Sequence, residues 1–246
     1  MLLILLITLG LTFVLSIENG KFVTDMTEHK FIVLLTGDSS ICTGSVISNK
    51  LILTAAHCIC RKDAVKKVTF NENKMSTNQI SFEIKEKHVT NDYKQDCYHW
   101  NRREFRDLTQ DMALVGVEKD LVKSFGAEKV QVSLEKPLNM GVMVTIYGFG
   151  IELKIKDNFF NSGKLNTAQY KTVKCPVEVR ASDAVCVESG SEAQHHLSKG
   201  DDGGPAMLEN QVFAIVSNSV TDMYTSNRFT VLATTERNKN FLEKYL

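Results

Sequence analysis

The chain has no excess charge of either sign and little proline or tryptophan: among its 246 residues are three prolines and one tryptophan, and 29 basic residues balance 29 acidic ones. This balance gives no reason to expect a nucleic acid or an anionic membrane as partner. The sequence also lacks internal repeats, low-complexity tracts and Pro/Gly-rich linkers, and it has no Asn-X-Ser/Thr acceptor for N-glycosylation. The length suits one large hydrophobic core or two small ones.

The first sixteen residues, MLLILLITLGLTFVLS, carry no charge, and a polar chain follows from Glu18. This run is shorter than the ~20 residues that a membrane-spanning helix needs, and Val14 and Ser16 fit the small-residue rule of signal-peptide cleavage. We therefore predict a signal peptide over residues 1–16, a new chain start at Ile17, and a secreted, extracellular protein. An uncleaved anchor is the alternative.

Cysteine is present in an even number, which suits an oxidising secretory route. The six positions are Cys42, Cys58, Cys60, Cys97, Cys175 and Cys186. They allow up to three disulfides, and their spacing alone leaves fifteen pairings open.

Short apolar or alternating runs dominate the remaining chain, and long helical periods are rare. Such runs predict strands over residues 31–35, 51–53, 79–86, 112–117, 142–147 and 211–216. Regular short strands between turns indicate an all-β barrel or sandwich. The strongly charged segment 118–136 is the predicted crossing between two halves.

One helix is predicted at the end of the sequence, over residues 236–246. Phe241, Leu242 and Tyr245 stand there at helical spacing, and Thr234 and Thr235 precede them as candidate N-terminal caps.

Three motifs carry chemistry. The segment CTGSVISNKLILTAAHC runs from Cys42 to Cys58 and places His57 directly after a buried strand. Asp111 opens the second motif, DMAL, and leads directly into an apolar strand. Asp107 is an alternative acid for this motif, but no apolar strand follows it directly. The third motif is the glycine-rich turn GDDGGP, which begins at Gly200.

In these residues, their order and their separations, the chain resembles the chymotrypsin-like serine proteases, whose motifs read Asp-Ile-Ala-Leu and Gly-Asp-Ser-Gly-Gly-Pro. The GFG turn at residues 148–150 is similar to the family's Gly-Trp-Gly. The resemblance covers residues 17–246 and implies two six-stranded antiparallel barrels with a C-terminal helix. The N-terminal barrel would span about 17–125, the C-terminal barrel about 126–246, and a cleft would lie between them.

The resemblance also implies disulfide pairs. By analogy, Cys42 pairs with Cys58 and Cys175 with Cys186, which leaves Cys60 and Cys97 for each other. Each bridge would stabilise the fold by about 2–4 kcal/mol.

The same resemblance assigns a degenerate triad of His57, Asp111 and Asp202, with Gly200 in the oxyanion turn. The family needs a hydroxyl that histidine deprotonates, but Asp202 occupies the place of the serine. A carboxylate is already ionised near neutral pH and favours a protonated histidine. We therefore expect a pseudoenzyme without proteolytic activity.

The specificity pocket also departs from the family pattern. His196 falls at the pocket base, and Ser198 replaces a bracing cysteine. Ser217, Asn218 and Ser219 stand where the family has Ser-Trp-Gly. We expect a pocket that is narrowed, rebuilt or closed.

Activation should differ as well, because Ile17 lies directly at the predicted signal-cleavage site and no propeptide separates the two. In the family, the freed N-terminus pairs with an acid at the position of Asp201. Signal peptidase alone would then suffice to free Ile17 for this ion pair.

The combination looks most like the scabies-mite inactivated serine protease paralogues. That likeness implies a monomer that binds host or other extracellular proteins, with complement components as the expected targets. No cofactor or metal is expected. Two alternatives stay open: an altered hydrolase or metal site formed by His57, Asp111 and Asp202, and a decoy that captures protease substrates or inhibitors.

Overall fold

The structure, a computed structural model, describes residues 17, 20–60, 63–70, 80–91, 93–94, 107–135, 140–150, 153–155, 158–160, 163–189 and 196–246. The first eight strands are β1 (Lys21–Phe22), β2 (Ile32–Thr36), β3 (Ile41–Val46), β4 (Leu51–Thr54), β5 (Lys67–Phe70), β6 (Ile80–Val89), β7 (Ala113–Val117) and β8 (Gln131–Val132). The later strands are β9 (Met143–Gly148), β10 (Leu153–Ile155), β11 (Asn158–Phe160), β12 (Asn166–Lys174), β13 (Val185–Glu188), β14 (Pro205–Leu208), β15 (Gln211–Thr221) and β16 (Arg228–Thr234).

Helices are few and short among the described residues. They are α1 (Ala56–Cys60), α2 (Leu121–Phe125), α3 (Lys239–Leu242) and two 3₁₀ turns, Thr27–His29 and Leu108–Gln110. Helix α2 shows why they stay short: the Asp120 side chain accepts from the Lys123 amide at its start, and Gly126 ends it with a φ of +63°. No described helix is long and apolar enough to span a bilayer.

Six antiparallel strands close the first barrel in the order β2-β3-β4-β7-β6-β5. Strand β7 is buried along its whole length, and β2 is buried at all but its last residue, because both faces of these strands meet apolar neighbours. This is the first of the two predicted six-stranded antiparallel barrels.

The second barrel closes in the order β12-β13-β16-β15-β14-β9, with β9 pairing back to β12. Strand β12 alternates buried and more exposed residues, as expected for a strand with one face in a barrel core. Strands β1 and β8 add to its rim by pairing with β12 and β15, and β10 and β11 form a separate hairpin. The predicted all-β fold of two six-stranded barrels is therefore confirmed.

The crossing between the barrels follows β7 and contains α2 and β8, within the predicted segment 118–136. The apolar core continues across the junction, because Val212, Ile215 and Ala233 of the second barrel cluster with the core of the first.

The C-terminal helix is shorter than the sequence predicts. It covers Lys239–Leu242, with Asn238 at its N-cap position, so the predicted caps Thr234 and Thr235 were wrong. Thr234 ends strand β16, and the Thr235 hydroxyl donates to the carbonyl of Phe213 at 2.8 Å. Because this hydroxyl donates to the carbonyl of Phe213, it does not cap the helix.

Candidate functional site

His57 and Asp111 meet at the edge of the first barrel. Strand β4 ends at Thr54, and α1 then presents the His57 ring, while Asp111 lies just before β7, the strand that pairs with β4. The Asp111 carboxylate accepts from the His57 backbone amide at 2.8 Å and lies 2.6 Å from Nδ1 of the ring. Both residues are buried. The pair can therefore hold the ring in one orientation.

Ser217 completes the surroundings of this buried acid by donating its hydroxyl to Asp111 at 2.7 Å. Burial raises the pKa of Asp111, but the charge of His57 and the hydrogen bonds from His57 and Ser217 outweigh it and hold the pKa below its usual value. Asp111 is therefore a carboxylate at neutral pH. The sequence analysis missed this contact, although a serine kept at the head of the Ser-Asn-Ser segment was its signal.

Asp202 lies against the other nitrogen of the ring. Its Oδ2 is 3.6 Å from Nε2 of His57, and its side chain is 24% exposed. Burial lowers the pKa of His57, but the charge and hydrogen bond of Asp111, together with the nearby charge of Asp202, outweigh burial and raise the pKa to about 10. His57 is therefore an imidazolium at neutral pH.

The turn that carries Asp202 is anchored through its neighbour, Asp201. This buried carboxylate accepts from the amides of Gly150 at 2.9 Å and Ser198 at 2.8 Å, and from the Ser198 hydroxyl at 3.1 Å. The backbone nitrogen of Ile17, also buried, lies 3.4 Å from it. Burial raises the pKa of Asp201 to about 6, although its hydrogen bonds oppose the shift.

Thr43 ties the same turn to the first barrel. Its hydroxyl donates to the carbonyl of Gly200 at 2.8 Å and accepts from the amide of Phe149 at 3.0 Å, and its own amide donates to the carbonyl of Asp202 at 2.9 Å. Gly200 itself has a φ of +106°, which strains any side chain at this position. The sequence analysis did not identify Thr43.

The predicted pocket residues make internal hydrogen bonds. Nδ1 of His196 lies 2.9 Å from the carbonyl oxygen of Ser189, so this ring nitrogen has a backbone hydrogen-bond partner. The hydroxyls of Ser189 and Ser219 both contact that of Thr230, at 2.8 and 3.1 Å.

The remaining pocket positions are Asn218 and Ser198. The exposed Asn218 accepts from the amide of Ser219 at 2.8 Å. Ser198 is used for Asp201, as described above. Each of the five predicted pocket residues thus has a hydrogen-bond partner in the structure, and their role in a specificity pocket stays a prediction.

Two disulfides join described residues. Cys42 is bonded to Cys58 beside His57, and Cys175 is bonded to Cys186. The pairing of Cys60 with Cys97 stays a prediction, because Cys97 lies outside the described residues.

A metal site at His57, Asp111 and Asp202 does not fit this geometry. The two carboxylates lie on opposite nitrogens of one imidazole ring, whereas metal ligands must converge on a single point about 2 Å from each donor atom. Cys42 and Cys58 lie close to His57 as well, but their sulfurs are joined in the disulfide and offer no thiolate.

Comparison with known proteins gives a consistent result. The family model described as Trypsin matches residues 19–242. The cercarial protease of Schistosoma mansoni is 28% identical over 217 residues, which cover 83% of this chain and 80% of that protein. Kallikrein-8 of Mus musculus is 27% identical over 191 residues, covering 75% of this chain and 68% of that protein.

A solved structure has the same architecture. Neuropsin, a serine protease expressed in the limbic system of mouse brain, superposes with a TM-score of 0.70 at 20% sequence identity. The alignment covers 92% of this chain and 97% of that one.

Proposed function

We propose that this chain, which belongs to the trypsin family, is a secreted homologue that has lost proteolysis and acts by binding other extracellular proteins. The observation that carries the proposal is the position of His57 between two carboxylates, Asp111 at Nδ1 and Asp202 at Nε2. Peptide hydrolysis in the family requires this histidine to accept a proton from a serine hydroxyl.

The protonation state of His57 supports the proposal. With a pKa of about 10, roughly one molecule in a thousand carries neutral His57 at pH 7. An imidazolium has no lone pair at Nε2 and cannot act as a general base. The replacement of the serine by Asp202 thus removes the hydroxyl, and the charge of Asp202 adds to that of Asp111 in holding the proton on His57.

Asp202 is also unsuited to be the nucleophile. Attack of its carboxylate on an amide would form a mixed anhydride and expel an amine, a product that lies uphill of the starting amide. Its negative charge, close to Gly200, would in addition oppose the oxyanion that the turn must stabilise in the active family members. By comparison with known triads, loss of the serine costs on the order of 10⁴–10⁶ in rate.

The internal hydrogen bonds of the pocket residues argue in the same direction. The ring of His196 and the hydroxyls of Ser189, Ser219 and Thr230 bond to one another or to the wall rather than offering a charge to a substrate side chain. These residues supply no carboxylate with which a basic substrate residue could pair.

A hydrolysis assay tests the loss of activity. The chain starting at Ile17 is incubated with a broad peptide library, with His57→Ala as the matched control. We expect no cleavage by either protein. Cleavage by the unsubstituted chain that His57→Ala abolishes would overturn the proposal, whereas cleavage by both would identify a contaminating protease.

The binding partner we propose is a component of host defence, complement first. This part rests on the likeness to the scabies-mite inactivated paralogues. A serum pull-down with the chain starting at Ile17 should recover a complement protein, and the chain should protect cells from complement lysis. The Asp202→Ala variant should behave like the unsubstituted chain if the loops bind. Failure of both assays would refute this assignment.

The decoy alternative is tested on the same samples. A tight-binding peptide inhibitor of trypsin-family proteases is added as a competitor. If the cleft between the two barrels captures the partner, the competitor should release the bound partner. We expect no release.

A further inference from the structure

A concave site lies at the C-terminal end of α1, next to the C-terminal segment. It is a cavity of about 320 Å³ bounded by α1, by the end of β6 and by the residues after α3. Its described lining residues are Ile59, Cys60, Lys87, His88, Val89, Lys94 and Tyr245. None of them belongs to the triad or to the specificity pocket.

The described lining contains basic groups and no acid. Lys87 and Lys94 supply two ammonium groups, and His88 and Tyr245 add an imidazole and a phenol whose rings lie 4.8 Å apart. Within the part of the chain that the structure describes, no carboxylate lies within 4.0 Å of either lysine nitrogen. Glu86 reaches only the ring of His88, at 3.4 Å, and its side chain is 66% exposed.

The surroundings of Lys87 contrast with those of its neighbour on the same strand. Lys85 pairs with Glu83 at 2.6 Å, whereas among the described residues the Lys87 ammonium donates only to the carbonyl of Ile59, at 3.5 Å. Burial lowers the pKa of Lys87, and the charge of Lys66 lowers it further. Lys66 is itself paired with Asp38. The cavity thus concentrates positive charge that no described acid in it neutralises.

We propose that this cavity binds a sulfate or phosphate group, held by Lys87 and Lys94. A compact divalent oxyanion accepts hydrogen bonds from ammonium groups, and lysine binds such an anion as a point charge. The phenol of Tyr245 and the ring of His88 supply further donors at the cavity wall. The binding does not depend on proteolytic activity or on its absence.

Titration calorimetry with sodium sulfate and sodium phosphate, at ionic strength held constant with sodium chloride, tests the proposal. We expect saturable binding by the unsubstituted chain and about tenfold weaker binding in Lys87→Gln and in Lys94→Gln, because each loses one charge-assisted contact. Lys87→Arg should retain binding. Lys85→Gln, outside the cavity, should change the affinity less than about twofold.

A sulfated disaccharide distinguishes a sugar sulfate ester from a free anion as the source. Affinity at least about tenfold above that of inorganic sulfate, lost in Lys87→Gln, supports the ester, and equal affinity supports the free anion. Nuclear magnetic resonance of the lysine ammonium groups should show the pKa of Lys87 rising on binding. Absence of saturable binding for all three probes, or equal weakening in Lys85→Gln, overturns the proposal.

Discussion

Nε2 of His57 faces a carboxylate oxygen of Asp202 at 3.6 Å, while Nδ1 of the same ring lies 2.6 Å from Asp111. One imidazole thus bridges two acids, an arrangement that suits an ion pair and opposes proton abstraction.

The titration of His57 follows from this bridge. Its pKa, ordinarily 6.5, is raised to about 10, so the folded state holds a proton that the unfolded chain releases between these values. The resulting stability is fully present below about pH 6.5 and is lost as pH rises through about 10. Nuclear magnetic resonance of the imidazole should show a charged ring at pH 7, and a neutral ring there would contradict the model of inactivation.

Asp202→Asn provides the matched variant for that titration. It keeps the shape of the side chain and removes its charge, so the pKa of His57 should fall by at least about one unit. His57→Gln identifies the signal. An unchanged pKa in Asp202→Asn would mean that Asp111 alone protonates the ring.

Asp202→Ser should restore a reactive hydroxyl. We expect a phosphonofluoridate to modify this variant: the serine oxygen bonds to phosphorus, fluoride leaves, and His57 takes the hydroxyl proton. Mass spectrometry should find the adduct at least about 10³ times faster than in the unsubstituted chain. The double variant Asp202→Ser with His57→Ala is the control, and equal labelling of it would show that the triad geometry has no part in the reaction.

The state of Ile17 should govern how stability depends on pH. While residues precede Ile17, its nitrogen is a neutral amide and the pKa of Asp201 is about 6, against an ordinary 3.8. The folded state then binds more protons than the unfolded one, so stability is present below about pH 3.8 and is lost as pH rises through about 6. The loss is on the order of 2–3 kcal/mol.

A chain that begins at Ile17 should behave differently, because its ammonium favours the charged form of Asp201 and lowers the pKa. Urea unfolding between pH 4 and pH 7 should show a smaller loss than in a chain extended by a few residues. In Asp201→Asn the two chains should have the same pH dependence. Identical profiles without the substitution would argue against the ion pair.

Thr43→Val should destabilise the turn that carries Asp202. The change preserves the shape of the side chain but removes the hydroxyl that bonds to Gly200 and Phe149 in a buried place. The expected cost is about 1–3 kcal/mol in the free energy of unfolding. Thr43→Ser retains the hydroxyl and should recover most of the loss. Equal destabilisation by both would assign the effect to packing.

Local apolar patterns in the sequence predict six of the strands, and the resemblance to the chymotrypsin-like serine proteases implies the proximity of His57 to Asp111. Other features depend on partners far along the chain. The hydroxyl of Thr43 meets Gly200 across 157 positions, and Ser217 meets Asp111 across 106. Thr235 has the side chain of a helix cap, but in the folded protein its hydroxyl donates to the backbone carbonyl of Phe213. The tertiary fold determines such hydrogen-bond partners, and local sequence patterns do not reveal them.

Each end of the described chain packs against the barrel that is more distant in sequence. Strand β1 comes before the first barrel in sequence but pairs with β12 of the second, while Leu242 of α3 follows the second barrel and is buried in the core of the first. Each half therefore lacks part of its own packing when the other is absent. We therefore expect the two barrels to unfold cooperatively, in one transition. A chain cut within the crossing segment should stay assembled, because each fragment still packs against the barrel of the other.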